Sequence, residues 1–327
     1  MSSSSHPKPA RILILLAFLS IYLCWGATYT AMSIGVHLVP APIMASIRML
    51  IGAAILLLFC RLRGKKLFYP PSVMARLSLL GVMLLFAGNI GLVWSEKYIA
   101  SGLAALIVAV VPLYVAILEA LTGGEQLRRR GIIGLLLGFS ALIILLRPSF
   151  DRAVIDHHGG SMQIIAAGIV LLGALSFASG SVLSRHMRLP VEPLVAAGWQ
   201  MGAAGIANLT LATSIGAWSH ATWNSHSIAA IIYLIIFGSL LGFTCYIWLI
   251  HHVPVAKVAT YAYVNPVVAV VLGVAVLHEH LHRSEQIGMV GVLAAVVLVT
   301  SSQIKNRQPE ENDEVLDKQA LPPEGES

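Results

Sequence analysis

WSEKYIASGLAALIVAVVPLYVAILEALTGGEQLRRRGIIGLLLG, residues 94–138, has a partner 154 positions further on, WLIHHVPVAKVATYAYVNPVVAVVLGVAVLHEHLHRSEQIGMVGV, residues 248–292. Without a gap, the shift lays Trp94 on Trp248, Pro112 on Pro266, Leu118 on Leu272, Glu125 on Glu279, Leu127 on Leu281, Arg129 on Arg283 and Gly134 on Gly288. Ten of the 45 aligned positions are identical. Two Val/Leu/Ala-rich segments share apolar letters by chance; a Trp, a Pro, a Glu and a Gly in register are harder to obtain that way. Internal repetition sets the architecture, so the chain reads as two copies of one unit.

The solvent of that unit follows from composition. The 327 residues are 57% hydrophobic and 11% charged, whereas a soluble domain carries about 25% charged residues. Such a chain cannot coat a globule with groups that prefer water, so its surroundings are lipid. A net charge of +6 is then a statement about topology, because basic residues collect in cytoplasmic loops. Cys24, Cys60 and Cys245 lie in or beside apolar runs without metal-ligand spacing, which argues against a disulfide framework. Lys8 and Arg11 before the first apolar run imitate a signal peptide; the run is too long for one and is expected to stay as a span.

Ten apolar runs predict transmembrane helices, at residues 12–34, 43–62, 77–95, 99–122, 131–146, 164–184, 194–215, 228–250, 255–277 and 287–303. In lipid the backbone must satisfy its own hydrogen bonds, and continuous apolar runs do so as helices. The expected fold is an all-α membrane protein of two inverted five-helix repeats. A segment 1–11 precedes the first repeat (12–148), a connector 149–163 leads to the second (164–304), and an acidic tail without aromatics, 305–327, is expected to be disordered. With the N-terminus inside, 16 of the 21 Lys and Arg face the cytoplasm and four face out, with Arg48 inside a span. Both termini are therefore expected in the cytoplasm. Five spans per copy is an odd number, so the second copy enters the membrane upside down, a design recurrent in transporters.

Further residues carry a family resemblance: Trp25-Gly26-Ala27-Thr28 in the first span, Arg48 in the second, the run from Ala100 to Gly138 with Pro112 and Glu125, and its copy with Pro266, Glu279 and Gly288. Ser176-Phe177-Ala178-Ser179-Gly180 stands at the place of the Trp-Gly element. Over residues 12 to 304 the chain resembles the EamA-type ten-span exporters of the drug/metabolite transporter superfamily. It departs from the pattern at Phe177, where a Trp is common, and at Gln200, which answers to Arg48. The resemblance implies export of small polar or amphiphilic, amino-acid-like metabolites across the inner membrane, with protons as a driving ion in several relatives.

Each candidate residue has a functional and a structural reading. Arg48 costs at least about 2.5 kcal/mol in hydrocarbon, so it either anchors a substrate carboxylate or only holds the fold, by snorkelling to the outer headgroups or binding helix-end carbonyls. Glu119, near the inner end of the fourth span, either couples protons or meets the arginines at 128–130. Glu125 and Glu279 read as residues that order loops. His278, Glu279, His280 and His282 invite a metal, yet the first copy has no matching ligand set and the expectation is no metal. Trp25 with Tyr29, Thr244 with Trp248, and Tyr261 with Asn265 share helix faces at i,i+4 spacing. Together with Asn89, Trp94 and Gln200 they form the expected cavity lining, against an interfacial-belt reading for Trp94, Trp199, Trp218 and Trp223. Pro112 and Pro266 remove a helical hydrogen bond each and are candidate hinges. The pairs Gly134/Gly138, Gly198/Gly202 and Gly238/Gly242 read as helix-packing positions.

A secondary transporter working by alternating access fits these features. A membrane enzyme needs a set of buried proton-transfer groups, and Glu119 alone is visible inside the spans. A multidrug or cation pump is the runner-up, opposed by a first span without an acid; a non-transporting partner subunit comes third. The expected partners are a small-molecule solute, the bilayer and protons, with no cofactor, no nucleic acid, and a monomeric state.

Overall fold

The structure, a computed structural model, describes residues 11–122, 129–155, 159–187, 189–253, 258, 261–279 and 282–304. Every regular element among them is helical. In chain order these are α1 (Arg11–Val36), α2 (Ala41–Leu62), α3 (Pro71–Ser95), α4 (Ser101–Leu121), α5 (Arg129–Ile155), α6 (Gly159–Met187), α7 (Pro193–Ser214), α8 (Ser225–Ile250), α9 (Tyr261–Leu277) and α10 (Arg283–Ile304). Proline opens α3 and α7 and lies in the first turn of α2, where its missing N–H costs nothing. Asn224 and Ser227 form a reciprocal capping box at the start of α8. The sequence ends the fifth span at 146, but α5 runs on to Ile155.

By length and composition, seven helices can cross a membrane: α1 to α4, α5 over Arg129–Arg147, α6 over Ser161–Met187, and α8. α9 contributes a shorter apolar helix, Val264–Leu277. α7 and α10 occupy the seventh and tenth expected stretches. Large apolar side chains such as Leu15, Leu58, Ile133, Leu136, Val271 and Val290 stand exposed on the outside of the bundle. Water would penalise that surface; lipid does not.

Helix pairing follows the repeat. α5 packs along α10 and α2 along α7, so members at the same position of the two copies meet. α4 packs on α9, and α3–α6 is matched by α8–α1. The same-position pairs approach closely because small residues line them. Gly198, Gly202 and Gly205 of α7 lie against Leu57, Ala53 and Leu50 of α2, and Gly288 and Gly291 of α10 against Leu145 and Ala141 of α5.

Three helices are wound wide over part of their length. π-helical turns interrupt α1 at Ile21–Trp25, α3 at Val82–Ala87 and α8 at Leu234–Phe243. Under the 154-residue shift Val82–Ala87 becomes 236–241, inside the α8 segment, so α3 and α8 are wound wide at equivalent places. Such turns are rare and gather at functional sites. α4 is broken differently: it stops after Val108 and resumes at Val111, just before Pro112, whereas α9 runs unbroken through Pro266.

One contact tests the packing. A side chain at Gly81 of α3 would meet the Gln200 backbone of α7. Gly81→Ala is expected to cost about 1–3 kcal/mol through overpacking, read as a lower melting temperature of the purified protein in detergent; an unchanged melt would show that α3 and α7 are not in backbone contact there.

Candidate functional site

The three π-helical turns surround one cavity. It is bounded by α1, α2, α3, α4, α6, α8 and α9 and encloses about 780 Å³ of atom-free space, including its open part. Aromatic groups form one side. Trp25 packs on Tyr246 at 5.2 Å and edge-on against Tyr261 at 5.3 Å, and Tyr246 in turn meets Phe177 at 5.9 Å. Phe177 and Tyr261 also line a smaller pocket beyond, next to Pro112, Ser181 and Val258. The aromatic layer thus separates the main cavity from the end that holds Arg185.

Local backbone chemistry holds this layer. Trp25 Nε1 donates to the Gly238 carbonyl at 3.0 Å, an acceptor within the wide turn of α8. The close approach needs a residue without Cβ at Gly242, where a side chain would meet the Trp25 indole. Gly238 and Gly242 therefore shape the site, beyond the packing role the sequence indicates. Asn265, oriented to donate, reaches the carbonyls of Tyr22 (3.1 Å), Ile21 (3.3 Å) and Tyr261 (3.3 Å). Two of these lie in the wide turn of α1, so α9 supplies the donor that the loosened helix needs.

Polar groups occupy the opposite side. Arg48 is 6% exposed; its Nη2 donates to Asn89 Oδ1 at 2.9 Å, its Nη1 faces the Met32 sulfur at 3.8 Å, and Nε has no partner. Arg48 is thus held inside the bundle by side chains of α1 and α3. A guanidinium with spare donors, one amide and an aromatic wall is a chemistry that accepts a carboxylate joined to an apolar body.

Each end of the bundle is closed by a contact between the halves. At one end Arg185 Nη1 of α6 pairs with Glu119 Oε1 of α4 at 2.7 Å. At the other, the carboxylate of Glu279 accepts from the Ser101 and Gly102 amides at 2.7 and 3.2 Å, capping α4 where the helix dipole favours an anion. Gly273 leaves room for that carboxylate, and His278 at φ 55° turns the chain back toward it. Glu285 accepts from the His282 amide at 2.7 Å and caps α10. Glu125, Arg128, Lys257 and His280 lie outside the described residues.

Of the residues singled out in the sequence, Trp25, Tyr29, Arg48, Asn89, Tyr261 and Asn265 line the cavity. Trp94 meets Tyr98 at a tilt, 4.8 Å between rings, Trp248 stacks on His252 at 4.3 Å, and Gln200 is buried where α7 meets α3; these and Thr244 lie outside the lining. Glu119 meets Arg185. Sequence reasoning missed Tyr246 and Glu96. Glu96 follows directly on the end of α3 and reads as an interfacial residue, yet it is 2% exposed and neither carboxylate oxygen has a hydrogen-bond partner. Burial pushes its carboxyl well above the usual range, the Glu279 carboxylate pushes the same way, and Arg48 opposes both.

Residues 11–147 and 164–301 each match the family model described as the EamA-like transporter family. The chain is similar to the uncharacterized inner membrane transporter YedA of Escherichia coli (strain K12), 35% identical over 289 residues that cover 87% of this chain and 89% of the relative. It is also similar to the uncharacterized transporter YvbV of Bacillus subtilis (strain 168), 26% identical over 300 residues, 90% of this chain and 93% of the relative. A crystal structure at 19% identity has the same fold, with a TM-score of 0.63 over 91% of this chain and 100% of that one.

Two substitutions probe the site's construction. Asn265→Leu leaves carbonyls of the α1 wide turn without their donor and is expected to cost about 1–3 kcal/mol, seen as a lowered melting temperature in detergent. Glu279→Gln weakens the cap on α4 and is expected to cost about 0.5–2 kcal/mol. Hydrogen exchange rising at the Ser101 and Gly102 amides, and not elsewhere in α4, is the signature to look for.

Proposed function

Because the chain belongs to the EamA-like transporter family, we propose that it is a secondary transporter that exports small amino-acid-like or amphiphilic metabolites across the inner membrane. The observation that carries this is Arg48, a buried cation presented with spare donors to a cavity that is otherwise aromatic and apolar. The solute's carboxylate meets Arg48 and Asn89, and its apolar part lies against Trp25, Phe177 and Tyr261. A cation pump fits this site poorly, since its substrate would face Arg48 with no exposed counter-charge.

The mechanism we propose is alternating access between ten spans arranged as two inverted repeats. What supports it is the 154-residue repeat, the α3 and α8 wide turns at equivalent positions, and the pairing of like-placed helices. Glu119–Arg185 and Glu279–Ser101/Gly102 each bridge the two halves at opposite ends. The Glu279 cap, a charge-assisted hydrogen bond, contributes about 1.5–3 kcal/mol and the partly exposed Glu119–Arg185 pair less, small enough for either end to open thermally once the other is closed. Pro112 and Pro266 are the proposed bending points. The basic end, with Arg61, Arg63, Lys65 and Lys66, faces the cytoplasm together with both termini. Glu119 is assigned to closing that end, and the working unit is a monomer whose partners are the solute and the bilayer.

Proteoliposomes loaded with pooled amino acids and short aromatic carboxylates test the assignment. Efflux of at least one carboxylate-bearing solute above protein-free liposomes is expected, with Arg48→Gln reducing it about 10- to 100-fold, as loss of a charged hydrogen-bond partner implies. If neutral or cationic solutes alone move, the carboxylate site is wrong; if nothing moves, transport itself is unsupported. Cysteines introduced at Gln126 and His280 are expected to label from opposite faces of right-side-out vesicles. Labelling from the same face removes the inverted arrangement.

A further inference from the structure

Glu96 has no part in the scheme above, yet it is a buried acid without a hydrogen-bond partner. It caps the C-terminus of α3, where the helix dipole disfavours an anion. It is 2% exposed, and both oxygens lack a hydrogen-bond donor. Three groups from other elements face it electrostatically: Tyr29 of α1, Arg48 of α2, and Glu279 beyond α9. α6, which packs along α3, has no titratable side chain from Gly159 to Leu175, and the start of α4 offers the amides already taken by Glu279 and the uncharged Ser101 hydroxyl. Lys97, next in the chain, is exposed to solvent. Among the described residues, the cation set against an ionised carboxylate here is Arg48.

We propose that Glu96 is a proton-binding site, and that its proton is what leaves Arg48 free for a solute carboxylate. With the proton bound, Glu96 is neutral, is tolerated where it lies, and makes no demand on the guanidinium. With the proton released to water at whichever end is open, the carboxylate competes with the solute for the same cation and repels Glu279 on its seat at α4. Proton and carboxylate therefore bind together and cross together. Export then runs down the solute's own concentration gradient and is opposed by an inward proton gradient. The solute half of this inference rests on the transport reading; the protonation of Glu96 does not. Glu119 has its charge partner in Arg185 and is not needed as the proton carrier.

The test is an infrared titration of the purified full chain in lipid, following the C=O stretch of protonated carboxyl groups without any solute. A protonated-carboxyl band that persists at neutral pH and disappears only in alkali is expected, lost in Glu96→Gln and retained in Glu119→Gln. Arg48→Gln should move the midpoint to higher pH, because the cation that favours ionisation is gone. Glu279→Gln should move it to lower pH, because the repelling carboxylate is gone. Glu96→Asp keeps a titrating band at a shifted midpoint, which preserves the test if the glutamine variant folds poorly. A band unaffected by Glu96→Gln, or a Glu96 that titrates in the ordinary carboxylate range, overturns the proton site. A midpoint indifferent to Arg48→Gln overturns the link to the cavity, and both outcomes can be told apart from a failure to transport.

Discussion

A positive charge held inside an apolar bundle has to be compensated, and much of the arrangement around Arg48 reads as an answer to that requirement. Asn89 accepts from it at 2.9 Å and the Met32 sulfur lies beside it. Arg48 also borders the cavity, together with Asn89, Trp25 and Tyr261. A residue so placed is expensive in the absence of a partner and stabilised in its presence. That difference is the ordinary currency of recognition: the free energy withheld from the empty site becomes available to the occupied one.

Room for such a cavity comes from the helices themselves. Regular α-helices pack closely, and α2–α7 and α5–α10 do so through glycine and alanine contacts. Around the cavity the backbone is wound wide instead, in α1, α3 and α8, and the displaced polar groups are met by side chains from other helices. Trp25 donates into the wide turn of α8, and Asn265 donates into that of α1. The aromatic wall and the irregular backbone are thus one construction: loosening a helix creates an acceptor, and the acceptor fixes a ring. The closely packed contacts of α2–α7 and α5–α10 keep regular backbone, whereas the wide turns are confined to α1, α3 and α8.

The ends differ in chemistry. Glu119 and Arg185 form an ion pair in which Arg185 is partly exposed, so solvent screens it and its contribution is modest. Glu279 binds backbone amides at a helix start, which are oriented before the carboxylate arrives. One end is therefore held by flexible charged side chains and the other by a fixed anion seat, so the two closures need not respond alike to salt.

The repeat, the membrane setting and the grouping of Arg48, Trp25 and Asn265 around one cavity were legible from the chain alone. Helical spacing, the cost of a charge in lipid and the register of Trp, Pro, Glu and Gly are local properties. Trp248 and Thr244 satisfied the same spacing rule as Trp25 and Tyr29, yet they lie outside the cavity, because a helical face says nothing about which neighbour it meets. Glu119 found Arg185 across 66 residues of chain, a pairing no window along the sequence contains. Glu96 is the clearest case. One residue past an apolar run it looks like a solvated end, and only the convergence of α1, α2, α3 and the turn after α9 encloses it. What the amino acids determine by themselves is which segments prefer lipid and which groups will be costly there; which costly groups face one another depends on contacts between distant helices, and those exist only in the folded bundle.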